Sequence, residues 1–272
     1  MKALALFAVS VVLVAPPARA QDSSNPNAEA PIINPGQPEN LSPAAQHEEA
    51  EMRARIQMAR KDYAEAAKSY ERLLKSDPKD AALLNQLGIA YQELGDFGQA
   101  ERAYKRAIHA DKNYASAMNN LGSLEYSQEH YKRAIKYYRK AVLIPDGARA
   151  VIYGNLGYAY FSNLQYAPAL EAFGKALAID PDVFGHKSGV GATVQQRSSQ
   201  DPGRLYFLVA KSYAKTGDAE HAAHFLKEAR DDGYRDFTAA KTDPDFARVI
   251  RDKRVQEVFD IQPVFSSDEK KL

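Results

Sequence analysis

Three columns of residues recur along this chain at nearly constant intervals, and this repetition constrains the fold more than any other feature. The pair Leu87-Gly88 returns as Leu121-Gly122, as Leu156-Gly157 and, more loosely, as Val209-Ala210. Ala66 returns at Ala100, Ala134, Ala169 and Ala222, and Tyr70 at Tyr104, Tyr138, Phe173 and then Leu226. The Ala column advances by 34, 34, 35 and 53 residues, and the other columns keep step. A period in this range belongs to chains that stack one supersecondary unit many times. The last interval exceeds the period by 19 residues, which places an inserted segment, residues 182–202, before the final repeat.

The residues between the columns sharpen the picture. Leu84-x-x-Leu87-Gly88-x-x-Tyr91 followed by Ala100-x-x-x-Tyr104 resembles the tetratricopeptide repeat. So does Tyr153-x-x-Leu156-Gly157-x-x-Tyr160, followed by Ala169-x-x-x-Phe173 and Pro181. Tyr206-x-x-Val209-Ala210-x-x-Tyr213 with Ala222 is a looser copy. The repeat that starts near Ala115 has Glu125 where the others have an aromatic, and the first repeat keeps only Ala66, Tyr70 and Pro78. The resemblance implies an all-α, right-handed superhelical solenoid of about five helical hairpins over residues 43–235. Each glycine then lets the second helix of its hairpin approach where the Ala column sits, because small residues shorten a helix crossing. A single hairpin cannot bury its apolar face, so neighbours must stack. The polar first helix suits an end of the stack. Apolar residues between Phe237 and Phe259 predict a short C-terminal helical cap over 236–260, followed by a fraying tail, 261–272.

The N-terminus has a different character. Lys2, an apolar run from Ala3 to Ala15, Pro16-Pro17 and then Ala18-Arg19-Ala20 have the layout of a secretory signal peptide over residues 1–20. The apolar run is shorter than the roughly 20 residues that span a bilayer, so no stable membrane anchor is expected after cleavage. Residues 21–42, rich in Pro, Asn and Ser, form a linker too polar to offset its ordering entropy. Ser42-Pro43 reads as an N-cap with Pro in the first helical position. These features predict an exported protein, periplasmic or secreted. The chain has no Cys, which excludes disulfides, thiolate metal sites and Cys nucleophiles. With 36 basic and 35 acidic residues it lacks the basic excess of a nucleic-acid binder.

Catalytic patterns are missing. There is no Gly-x-Ser-x-Gly elbow and no phosphate-binding Gly-x-x-x-x-Gly-Lys loop. Of six His, only His221 and His224 share a helical face, and no carboxylate pattern completes a metal site around them. Lys132, Arg133, Lys136, Arg139 and Lys140 read as a solvated outer helix face. Gly185, Gly189 and Gly191 make the insert a candidate anion loop with Lys187, Ser188 and Arg197, on a weak motif. No cofactor, metal or enzymatic activity is expected.

The resemblance also implies a site. In this family the first helices line a concave surface. The places flanking the Leu-Gly column hold Asn85 and Gln86, then Asn119, Asn120, Ser123 and Tyr126, then Asn155, Tyr158 and Phe161, then Arg204, Phe207 and Lys211. Asn both donates and accepts, so a row of Asn on successive helices suits the backbone of an extended protein or peptide partner. The expected function is a non-catalytic adaptor that grips such a segment. The alternatives are a structural subunit of an envelope assembly that uses its outer or end surfaces, and a small-ligand or anion binder that uses residues 182–202.

Overall fold

The computed structural model describes residues 42–145, 149–184 and 201–260. The expected signal peptide, the linker up to residue 41, most of the insert and the tail lie outside the described residues. Within them the chain forms five helical hairpins: α1 (Pro43–Ala59) with α2 (Tyr63–Leu73), α3 (Ala81–Glu93) with α4 (Phe97–Ala110), α5 (Ala115–Ser127) with α6 (Tyr131–Val142), α7 (Ala150–Ser162) with α8 (Tyr166–Ile179), and α9 (Pro202–Thr216) with α10 (Ala219–Asp231). A cap follows, made of α11 (Phe237–Thr242), a 3-10 turn (Pro244–Phe246) and α12 (Lys253–Asp260). From α1 to α10 each helix packs on the next in the chain, and the cap rests on α9 and α10. First helices of successive hairpins also touch, α3 with α5 and α5 with α7, which curves the stack with its first helices inside.

Local chemistry sets the helix boundaries. Ser42 Oγ accepts from the Ala45 N–H at 3.2 Å, with Pro43 in the first turn. Asp80, Asp96, Asp201 and Asp218 cap α3, α4, α9 and α10 through their carboxylates. Such caps satisfy donors that the first turn leaves open. The turn inside every hairpin carries one left-handed residue: Lys61, Gly95, Glu129, Leu164 and Gly217, with φ between 59° and 90°. The amide of the following residue then reaches back to a carbonyl of the first helix, as Asp96 does to Tyr91 and Gln165 to Tyr160, both at 2.9 Å. That same residue caps the second helix, so one short turn closes one helix and opens the next.

Leu164 adopts this conformation at φ 59° and is 72% exposed, so its side chain gains little there. A non-glycine residue in the left-handed region carries about 1–2 kcal/mol of strain. Leu164→Gly is therefore expected to raise stability by about 1 kcal/mol, read as a higher urea midpoint; a lower midpoint would contradict this turn geometry.

The columns meet in the core. Ala66, Ala100, Ala134, Ala169 and Ala222 are all fully buried, and so are Tyr70, Tyr104, Tyr138, Phe173 and Leu226. The glycines do not simply face the alanines, as the sequence suggested. A methyl on Gly88 would lie 2.5 Å from the Tyr104 ring, on Gly122 2.7 Å from Tyr138, and on Gly157 2.4 Å from Phe173. Each aromatic of the second helix lies against the bare backbone of the first. The fifth hairpin, with Ala210 and Leu226 in these places, exchanges a large ring over no side chain for a smaller group over a methyl.

The insert is also narrower than the expected 182–202. Val183 and Phe184 are buried, and the Phe184 ring packs edge-on against Tyr158, Phe173 and Tyr213. Pro202 already opens α9. Val183 and Phe184 thus belong to the core between the fourth and fifth hairpins.

Candidate functional site

The concave face holds a continuous ladder of amides. Asn155 Nδ2 on α7 donates to Asn119 Oδ1 on α5 at 2.9 Å. Asn119 Nδ2 donates to its neighbour Asn120 Oδ1 at 3.3 Å, and Asn120 Nδ2 donates to Asn85 Oδ1 on α3 at 2.9 Å. The register follows from the repeat. The residue three before the glycine of one first helix meets the residue two before the glycine of the next. Asn85 meets Asn120 by this rule, and Asn119 meets Asn155. The rule fails at the next step, where Gly154 and Leu208 occupy the two places, so the ladder ends at α7.

Burial divides the ladder. Asn85 and Asn155 are each only 3% exposed, whereas Asn119 and Asn120 are half-buried on α5. The sequence suggested an exposed row; the structure makes the two outer amides posts inside the stack. Gln86 and Ser123 are half-buried beside them, with Ser123 Oγ 3.0 Å from the Tyr138 hydroxyl.

The aromatic residues expected to meet a partner are core residues instead. Tyr126 is 6% exposed, and its hydroxyl bonds to Ser162 Oγ at 2.8 Å. Tyr158 is 2% exposed, with its ring edge-on to Phe173, and burial pushes its phenol far above the ordinary tyrosine range. Phe161 is 4% exposed and packs against Tyr166. Close first helices and the Phe184 stem cover this face of α5 and α7.

The last station of the concave face is occupied by the chain itself. Phe207 stacks on Tyr234, centroids 4.2 Å apart, and contacts Phe246. Lys211 Nζ bonds to Asp243 Oδ2 at 2.6 Å and stands 3.1 Å from Asp245 Oδ2, while Lys215 reaches Asp245 Oδ1 at 3.2 Å. Burial works against the Lys211 charge, yet its bonds to Asp243 and Asp245 hold its pKa above the usual lysine value. Burial likewise opposes the Asp245 charge, and the two lysines hold its pKa below the usual value. Arg204 stays exposed, its Nη1 donating to the Tyr166 hydroxyl at 3.2 Å. Lys211 and Phe207 therefore dock the cap. Sequence reasoning found these residues but not their partners, because no spacing links α9 to a turn 32 residues on.

Glu125 is a further buried charge. Its side chain is 3% exposed, Arg133 Nη2 stands 2.7 Å from Oε1, and His130 Nδ1 lies 3.0 Å from Oε2. Arg133 also reaches Glu101 on α4 at 3.4 Å. The other hairpins place Tyr91, Tyr160 and Tyr213 at this position. His221 pairs with Asp218 at 2.7 Å and stacks on Tyr213. Among the described residues, no group of three or more His, Asp or Glu is arranged to hold a metal ion, and no helix is long and apolar enough to cross a membrane.

Three tetratricopeptide repeat models match the chain, over residues 50–113, 85–150 and 150–183. The fold is similar to that of PilF from Pseudomonas aeruginosa, at 18% identity over 79% of this chain and 89% of that one, with a TM-score of 0.51. It also matches residues 41 to the end of MamA from Desulfovibrio magneticus RS-1, at 20% identity over 68% and 93% of the two chains, with a TM-score of 0.49. A third match is YrrB, described as a TPR protein with an unusual peptide-binding site, at 18% identity over 71% and 89%, with a TM-score of 0.46. No curated protein matches the chain significantly. Repeating columns, stacked hairpins, glycine–aromatic crossings and the matching family models agree, and the chain belongs to the tetratricopeptide repeat family.

Proposed function

We propose that this chain is an exported, non-catalytic adaptor that holds an extended segment of a partner protein along the concave face of α3, α5 and α7. Solenoids of this kind present extended concave surfaces for binding. The observation that supports the groove is the amide ladder. Asn119 and Asn120 are half-exposed, oriented by their neighbours, and retain hydrogen-bonding capacity beyond the ladder. Asn85 and Asn155 fix them from either side, and Gln86 and Ser123 extend an uncharged polar strip that suits peptide backbone. The leader-like residues 1–20 support export, and N-terminal sequencing of the secreted protein should find Gln21 first.

A partner captured from the envelope fraction of the native host supplies the test. Each lost amide bond weakens binding by about 0.5–1.5 kcal/mol. The double variant Asn119→Ala, Asn120→Ala should therefore weaken that partner by about five- to a hundredfold, in titrations below the melting temperature of both proteins. Unchanged affinity would remove the groove from the reading and favour an assembly subunit that binds through its outer or end surfaces.

A further inference from the structure

The second helices form the outer surface, and α6 departs from a pattern that three of the other four keep. Helices α2, α4 and α8 each place an acid one turn before a lysine: Glu65 with Lys68 at 2.8 Å, Glu101 with Lys105 at 2.6 Å, and Glu171 with Lys175 at 2.7 Å. Helix α6 contains no acid at all. Its Lys132, Lys136, Arg139 and Lys140 are exposed and make no ion pair among the described residues, while Arg133 is committed to Glu125 and Glu101. Like charges four residues apart destabilise a helix, so this arrangement weakens α6 in isolation.

We infer that the outer face of α6 is a docking surface for an acidic helical segment of a partner protein. This goes beyond the concave groove and does not depend on it. Lys132, Lys136 and Lys140 lie at successive four-residue steps, a ridge with a spacing of about 6 Å, and Arg139 flanks it. A partner helix with acids every fourth residue has the same pitch and meets the ridge charge for charge. Tyr137 lies half-buried beside the ridge and offers one ring to the aliphatic part of such a helix. A lipid surface fits less well, because the exposed large apolar side chains lie on α1 (Met52 and Ile56) or at the two edges of the stack. Leu94, Phe97 and Leu164 mark the turns within hairpins, and Leu143 and Ile179 mark the opposite helix ends. None lies between the lysines, where insertion beside the cations would need it.

The test uses the full chain and a fluorescein-labelled, 20-residue alanine-based helical peptide with Glu at every fourth position, followed by anisotropy at low salt. A peptide of the same composition with its Glu residues in one block serves as the comparison. The regular peptide should bind at least tenfold more tightly than the blocked one, and added salt should weaken it. K132E/K136E/K140E should lose that binding and instead bind the Lys version of the regular peptide, which also shows that the variant is folded. Asn119→Ala, Asn120→Ala should bind the peptide as the parent chain does, which separates this surface from the groove. Equal affinity for the regular and blocked peptides, or binding that survives the charge reversal, would overturn the inference. So would capture by vesicles of phosphatidylglycerol and phosphatidylcholine without any preference for the regular peptide.

Discussion

Gly157→Leu is expected to remove more than about 3 kcal/mol of stability, because the new side chain would have to enter the Phe173 ring. Even a methyl there would sit 2.4 Å from two ring carbons, and Phe173 is fully buried and cannot swing aside. The damage should start in one place. Neighbouring hairpins stabilise each other pairwise, so amides of α7 and α8 should exchange fastest and those of α1 and α2 least affected. Gly174 makes a matched control. It lies within α8, and a methyl there would find nothing within 4 Å. Gly174→Ala should gain about 0.5–1 kcal/mol from helix propensity alone. Thermal melts of the two variants should thus move in opposite directions. If both fall together, the glycine–aromatic crossing is not what fixes this hairpin.

The second large effect is expected at Glu125. Removing its partner by Arg133→Ala leaves a carboxylate that is 3% exposed with only His130 beside it. Breaking a buried pair in this way costs about 3–5 kcal/mol, and the low end applies because half of the Arg133 side chain is in water. Glu125→Tyr should behave in the opposite sense. It installs the aromatic that three of the other hairpins carry at this position, removes the buried charge and leaves Arg133 its contact with Glu101. Replacing a buried ion pair with a well-packed apolar group is often neutral or stabilising. Urea titration should show Arg133→Ala well below the parent chain and Glu125→Tyr at or above it. If Glu125→Tyr proves as damaging as Arg133→Ala, the ion pair itself supports the α5–α6 hairpin, beyond merely filling its space.

The two predictions differ in what could be read in advance. Gly157 and Phe173 stand in columns that repeat at one spacing, so their importance was visible, although the ring, not the Ala column, turned out to cover the glycine. Glu125 was visible only as a break in the aromatic column. Its partner Arg133, and the Glu101 that Arg133 also reaches, lie on two other helices, and the sequence offers no reason to prefer them over other cations and acids nearby. The groove residues show the same limit. Asn85, Asn119, Asn120 and Asn155 were legible as one set of concave positions, yet which amide bonds which, and which two are buried, depends on how closely α3, α5 and α7 approach.

The sequence alone determined what repeats. A 34-residue unit carries its helix caps, its left-handed turn and its small and aromatic columns within one period, because those contacts form inside a hairpin or with the next one. It therefore specified the helices, their pairing and their order. Only the tertiary structure decided what joins different periods: the amide ladder, the Phe184 stem between Tyr158 and Tyr213, and the cap that fills the last concave station through Lys211, Asp243 and Asp245. The ladder keeps a register set by the repeat, but the stem and the cap bring together residues with no shared spacing. These contacts exist because stacked helices leave side chains of fixed reach, and most polar groups that become buried find a partner among the few within that reach.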